Sequence, residues 1–285
     1  MPADGRGARR SARHAARIRS PRPRLKRAYI HIRERTFMKI GIIGAGNIGA
    51  TLARKLATSG HAVKLANSKG PDSIRALAGD IGAAAVSKEE AVRGVEVVVL
   101  SIPLANYRDL AGLFNDVPDD VVVIDTSNYY PFRDGAIADV DGGMAESVWV
   151  GSQIGRPVVK AWNAVLAATL AEKGQPEGVD GRIAIPVAGD VAKAKAIAIE
   201  LVEATGFDAL DAGGLAASWR QQPGTPAYCT ELAANELKEA LRSADRSRAA
   251  DNRDALIKEF FAAGTSLTHD DMVARNRAGT AAPKS

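Results

Sequence analysis

A chain of 285 residues that is 46% hydrophobic holds one large or two modest domains of ordinary globular composition. No apolar run approaches the ~20 residues of a membrane span, and a single cysteine, Cys229, excludes an internal disulfide; the expected setting is cytoplasmic and reducing, with no membrane partner. The net charge of +5 belongs to residues 1–37, with eleven Arg and one Lys against Asp4 and Glu34; the remainder carries 26 Lys and Arg against 31 Asp and Glu, so overall basicity does not argue for a nucleic-acid partner.

Residues 1–37 show neither a long apolar run nor a strand pattern. The twin arginine Arg9-Arg10 lacks the apolar segment that an export signal needs. An Arg-rich, acid-poor composition also suits a transit peptide or a nucleic-acid arm. The plainer expectation is a disordered extension, with Met38 the true start.

Lys39–Ile43 reads as a buried strand. Gly44, Gly46 and Gly49 follow as G-x-G-x-x-G. Ile48, Leu52 and Leu56 then recur every four residues, which marks a helix from Asn47 that Gly60 stops. Residues 62–66 form the next strand. Strand, glycine turn, helix and strand together are the context that a dinucleotide fingerprint requires. Gly44 allows the tight turn, Gly46 lets a pyrophosphate approach the backbone, and Gly49 lets the helix pack on the strand. The helix N-terminus offers free N–H groups to phosphate.

After the second strand an NAD site usually carries Asp or Glu for the ribose hydroxyls. Here Asn67, Ser68 and Lys69 stand instead. No acid repels a 2′-phosphate, and amide, hydroxyl and ammonium can each donate to one. One charge-assisted contact of about 1.5–3 kcal/mol favours NADP over NAD by roughly 10- to 100-fold. The alternative is that Lys69 is a solvated loop lysine and Asn67 a turn residue.

Further on, the pattern predicts a helix from Pro71 to Ala78, a strand at 83–86, and a Ser87/Glu90 capping box opening a short helix to Arg93. The aliphatic run 95–102 reads as a central parallel strand. A helix is expected at 104–114, a strand at 121–125, a helix at 145–154 and a strand at 158–161. A helix at 164–173, a loop at 174–181, a strand at 183–188, a helix at 191–205 and a strand at 207–211 follow. The charged remainder predicts helices at 232–241 and 255–261, with residues 264–285 loosely ordered. The fold class is therefore α/β: a Rossmann-type doubly wound parallel sheet, a smaller α/β C-terminal part and a helical tail. The expected division is 1–37 extension, 38–157 NADP-binding domain, 158–227 acceptor-side domain and 228–285 tail. The loops after residues 43, 66, 102 and 125 should line one crevice.

The segments GIIGAGNIGATLARKLATSGHAV, LANSKGP, LSIP, VVKAWN and VAGD…LVEATGFDALDAGGLAASW together resemble the NADPH:8-hydroxy-5-deazaflavin oxidoreductases over residues 38–225. The same domain type is similar to the cytosolic reductase part of six-transmembrane metalloreductases. The resemblance implies that Ala45, Gly46, Asn47 and Ile48 cradle the pyrophosphate and that Asn67, Ser68 and Lys69 hold the 2′-phosphate. Lys69 stands where the family often carries Arg, which keeps the charge but loses the bidentate fork. The resemblance further implies that Ser101, Ile102, Pro103 and Asn128 border the nicotinamide ribose and that Ala161 and Asn163 lie near the nicotinamide. Ala212, Gly213, Gly214 and Leu215 match a loop flanking the second coenzyme, a deazaflavin or flavin. The tail from Tyr228 falls outside the resemblance; it is a candidate to reshape the acceptor site or to build a homodimer.

Hydride transfer between two stacked rings needs position and dryness more than a side-chain acid. No Ser-His-Asp set and no metal-ligand spacing occur, so no metal is expected. The histidines His14, His31, His61 and His269 lie away from predicted strand ends. Lys160 is the one candidate proton donor; the plainer reading is a lysine paired or solvated at the strand's edge. Trp162 and Trp219 read as pocket walls or as core. Three functions stay open: a hydride-transferring oxidoreductase acting on a small-molecule redox acceptor, an imine or carbonyl reductase, and a non-catalytic NADPH sensor or redox-partner subunit.

Overall fold

The computed structural model describes residues 37–281. The expected extension at 1–36 and residues 282–285 lie outside the described residues.

Among the described residues eight strands alternate with helices: β1 Lys39–Ile43, α1 Asn47–Thr58, β2 Ala62–Ala66, α2 Arg75–Ile81, β3 Ala84–Ala85, α3 Lys88–Ala91, β4 Val97–Leu100 and β5 Val122–Asp125. Then come α4 Pro131–Asp134, α5 Ala138–Asp141, α6 Glu146–Ile154, β6 Val159–Lys160, α7 Ala167–Glu172, β7 Ala184–Val187, α8 Ala192–Ala204 and β8 Asp208–Asp211. The tail holds α9 Ala234–Ser243, α10 Arg246–Ala263 and α11 His269–Thr280.

The first six strands make one parallel sheet in the order β3-β2-β1-β4-β5-β6. Parallel strands need crossovers, and the helices between them cover both faces. β4 shows the consequence: Val97 and Val99 enter one core cluster, Val98 and Leu100 the other, and none has exposed surface. Along a strand, alternate residues face opposite sides. Truncating one such aliphatic side chain to Ala costs about 2–5 kcal/mol.

β7 and β8 form a second, two-stranded parallel sheet. A single antiparallel bridge, Lys160 with Ala188, joins it to the large sheet through two backbone bonds of 2.8 and 3.0 Å. Ile185, Val187, Leu201, Val202 and Phe207 share a core with β1 and α1.

Several expected elements shift. The helix expected at 104–114 is a 3-10 helix, Leu104–Leu110, followed by turns. Tyr107 is pinned there by Asp125 and the Leu100 carbonyl, and left-handed Gly112 (φ 80°) follows. The helix expected at 255–261 starts nine residues earlier, because Asp245 caps it by accepting from the Ser247 N–H at 2.9 Å. The loosely ordered segment expected from 264 contains α11 instead. Thr268 and Asp271 cap it reciprocally. Only Val273, Asn276 and Thr280 of that helix are buried, so no apolar period announced it.

The tail is tied to the body at named points. Leu237, Ala240 and Leu241 of α9 pack with Ala184 and Ala227. α10 lies on the turn at Gly224, whose φ of +83° and 2.0 Å approach of a notional Cβ to the Ala249 carbonyl admit only glycine. Asn252 donates to the Gly224 carbonyl at 3.1 Å.

Candidate functional site

All six strands of the large sheet run the same way, so the segments after β1, β2, β4, β5 and β6 gather at one end. Gly44 leaves β1 with φ +113°, and a Cβ on it would sit 2.0 Å from the Ser101 carbonyl. A Cβ on Gly49 would lie 1.9 Å from the Gly44 carbonyl. Both glycines are dictated by the protein's own packing. Gly46 differs: a Cβ there meets nothing within 4 Å. It caps α1 without a side-chain bond, and no acid occupies the first turn. The first N–H groups of α1 therefore face open space with the positive end of the helix dipole behind them. Ala45, Asn47 and Ile48 complete this exposed or half-buried rim. An anionic diphosphate fits such a cradle.

The loop after β2 is braced by Asn67. Its Oδ1 accepts from the Lys69 N–H (3.1 Å) and the Ser73 hydroxyl (3.2 Å), and its Nδ2 lies 2.9 Å from Ser73 Oγ. Asn67 thus shapes the loop, while Ser68 and Lys69 stand exposed. Lys69 has no acidic partner among the described residues. Ser73, which sequence reasoning missed, lies six residues downstream on the 3-10 turn Pro71–Ile74; a hydroxyl beyond a Gly-Pro turn was its only signal.

The floor beneath β5 is a buried charge cluster. Asp125 accepts from Tyr107, the Ser127 N–H (2.9 Å) and Ser147 (2.6 Å). Lys160 Nζ donates to the Ser127 carbonyl and Glu146, each at 3.1 Å, and lies 3.8 Å from Asp125. Glu146 also accepts the Tyr129 N–H at 3.0 Å. Burial pushes the Glu146 carboxyl up, against the pull of Lys160. Lys160 has no exposed surface. Lys160 is paired beneath the loop, its ammonium turned toward carboxylates and a carbonyl.

At the same end of the sheet lie Ser101, Ile102 and Pro103 after β4, Asn128 after β5, and Ala161 and Asn163 after β6. The Ser101 N–H donates to Ile43 (2.8 Å) and the Ala161 N–H to Asp125 (3.1 Å). Asn163 Nδ2 donates to Asn128 Oδ1 at 3.0 Å and to the Gln221 carbonyl at 2.7 Å. Gln221 Nε2 returns a bond to Asn163 Oδ1 at 2.9 Å. Asn128 Nδ2 donates to the Asn163 carbonyl (2.9 Å) and to the Tyr228 hydroxyl (3.3 Å), which lies 2.6 Å from the Tyr130 hydroxyl. Tyr130 and Tyr228 are the residues that sequence reasoning did not single out. Nothing in the local pattern connects positions about 100 residues apart.

Backbone strain marks the same region. Three described residues other than glycine have positive φ: Trp162 (56°), Cys229 (55°) and Glu231 (50°). One precedes Asn163, one follows Tyr228, and the third lies two residues beyond Cys229. Such conformations cost about 1–3 kcal/mol each and persist where surroundings over-determine them. Gln221 Oε1, Gln222 Nε2 and Ser218 Oγ are buried without a hydrogen-bond partner.

Ala212, Gly213 and Gly214 follow β8. The Gly189 N–H donates to the Gly213 carbonyl at 3.0 Å, and the Leu215 N–H donates to Asp190 at 2.8 Å. Leu215 itself is core, packed with the Leu104, Tyr107 and Trp149 cluster. The 3-10 helix it begins, Leu215–Gln221, ends at Asn163. Trp162 is core, donating to Thr205 at 3.2 Å, whereas half-buried Trp219 lies under Arg220 and Arg246.

The family model described as NADP oxidoreductase, coenzyme F420-dependent, matches residues 39–129. Protein YjhV of Escherichia coli strain K12 is 39% identical over 102 residues, covering 36% of this chain and 74% of that protein. Metalloreductase STEAP3 of Rattus norvegicus is 29% identical over 180 residues, 63% of this chain but only 35% of the relative. The crystal structure of a hypothetical protein, SMa0349 from Sinorhizobium meliloti, superposes with a TM-score of 0.59 at 32% identity, covering 69% of this chain and 95% of that one.

Proposed function

Because the chain belongs to the coenzyme F420-dependent NADP oxidoreductase family, we propose that it passes a hydride between NADPH and a deazaflavin or flavin-type ring. The observation that carries the nucleotide half is the open space at Gly46. The chain keeps a glycine where its own packing does not require one, in front of unpaired helix N–H groups. Ala45, Gly46, Asn47 and Ile48 receive the diphosphate there. Ser68 and Lys69, on the loop that Asn67 braces, take the 2′-phosphate.

The nucleotide supplies the hydride chemistry when bound. The protein's part is to hold two rings together and exclude water. Ser101, Ile102, Pro103 and Asn128 border the ribose, with Ala161 and Asn163 beside the ring. The unpaired Gln221 Oε1 and Gln222 Nε2 leave one acceptor and one donor for a carboxamide. The 212–215 loop flanks the acceptor. Lys160, held by Glu146 and Asp125, braces the floor and does not donate a proton.

The test is to mix the protein with NADPH and, in turn, 8-hydroxy-5-deazaflavin, FMN and a quinone, following loss of the reduced nicotinamide absorbance. Turnover with the deazaflavin or FMN is the expected result. Tight NADPH binding with no turnover on any acceptor, imines and simple carbonyls included, would establish the sensor instead.

A further inference from the structure

The Tyr130 and Tyr228 hydroxyls lie 2.6 Å apart, and Asn128 Nδ2 donates to Tyr228 at 3.3 Å. Asn128 is also bonded to Asn163. The pair thus adjoins the two asparagines at the nicotinamide end of the crevice. Tyr130 comes from the loop after β5; Tyr228 opens the tail. Two hydroxyls carry two protons, and their mutual bond uses one. The Asn128 amide occupies an acceptor lone pair and consumes neither. One hydroxyl proton is left; the Cys229 sulfur, a weak acceptor, lies within its reach, and a ligand's nitrogen or oxygen is the stronger acceptor for it. Outward from Tyr130 the aromatic surface continues through Phe132, 5.7 Å away, to Phe261, a further 5.1 Å. Those two rings are 60% and 66% exposed, an apolar rim beside a polar tip.

Resting on the oxidoreductase reading above, we infer that Tyr228, relayed by Tyr130, is the proton donor of the acceptor site, whose ligand is a flat aromatic ring that takes hydride at carbon and a proton at nitrogen or oxygen. Two-electron reduction of such a ring consumes one hydride, from the reduced nicotinamide, and one proton. In that step the Tyr228 O–H bond breaks and a new bond forms at the acceptor's nitrogen or oxygen. The tyrosinate then regains a proton from solvent through half-buried Tyr130. Burial holds both phenols above the ordinary tyrosine range, so each is a full hydroxyl at neutral pH. The neighbouring Cys229 thiol is pushed up to about 12 by burial, so it too keeps its proton at neutral pH. The strained backbone at Cys229 fixes where the Tyr228 ring stands.

The experiment compares the parent with Tyr228→Phe and Tyr130→Phe on three acceptors. The deazaflavin and menadione each need a proton with the hydride; the phenazine methosulfate cation needs none. General acid catalysis contributes about 10²- to 10⁴-fold. Tyr228→Phe should therefore lower kcat about 100-fold or more with the first two, and at least tenfold less with the phenazinium. Tyr130→Phe should show the same ordering with a smaller loss. Independently of turnover, affinity for the oxidised deazaflavin in the presence of NADP⁺, read by fluorescence quenching, should weaken about 3- to 10-fold for the loss of one hydrogen bond. Equal losses on all three acceptors, or unchanged deazaflavin affinity, would overturn the inference. The parent alone reads the acceptor assignment: activity on menadione without the deazaflavin overturns that assignment, while menadione still reports on the tyrosines.

Discussion

Gly44 and Gly46 stand two positions apart and answer to different forces. Ala at 44 must adopt φ near +113° and push its methyl into the Ser101 carbonyl. Gly44→Ala should lose about 2–4 kcal/mol in urea denaturation. Gly46 has φ −76° and empty space beside it. Gly46→Ala should stay within about 1 kcal/mol of the parent, yet weaken NADPH by an order of magnitude or more in a calorimetric titration. Normal NADPH affinity in that variant would remove the diphosphate from this turn. The glycine spacing was legible in the sequence because each role depends on a few adjacent residues. That Gly46 alone is free of internal packing demands was not, since Ser101 approaches from 57 positions away. Asn67 was legible as a polar residue at the strand end, but its embrace of Ser73 makes it a brace more than a bare phosphate donor.

At the scale of elements, the buried cluster under β5 has a clear energetic sign. Lys160→Met leaves Asp125 and Glu146 buried together without their cation, and removal of one partner of a buried pair costs about 3–5 kcal/mol. A denaturation midpoint unchanged by Lys160→Met would show that the cluster is not the brace described. The tail has its own latch. Burial alone would push Glu231 up, but bonds from Thr169, Lys173 and His269 bring it below the ordinary value. Thr169 is 2.5 Å, Lys173 2.9 Å and His269 2.6 Å from its carboxylate. Arg277 of α11 donates to the Glu231 carbonyl at 3.0 Å. A depressed carboxyl contributes stability above its unfolded value of about 4.5 and loses it as pH falls through the folded value. Amide exchange in α11 should therefore accelerate below about pH 4.5 while β1 and β4 remain protected, and Glu231→Gln should abolish that pH dependence. The strand and crossover pattern was readable from apolar runs because parallel strands are buried on both faces. The tail was not, because α10 buries only Leu256 and is held by backbone contacts at Gly224 that leave no apolar period.

For the whole molecule, strand order places five loops at one end of the sheet, and that convergence gathers segments from residue 44 to residue 163 there. The tail then returns Tyr228 to Asn128 and Tyr130 behind β5, a placement that only the assembled fold discloses. No described helix is long and apolar enough to cross a membrane. A ligand that binds the folded chain alone stabilises it by about 2.7 kcal/mol at 100 times its dissociation constant. NADPH should therefore raise the melting temperature by a few degrees at saturation, and NADH by less at equal concentration. The most direct measurement is calorimetric titration of NADPH and NADH into the parent and into Lys69→Ala. The parent is expected to bind NADPH at least about 10-fold more tightly than NADH, and Lys69→Ala to bring the two together by losing NADPH affinity alone. Equal affinities in the parent, or no heat with either nucleotide, would contradict a glycine-turn crevice that selects the phosphorylated adenosine.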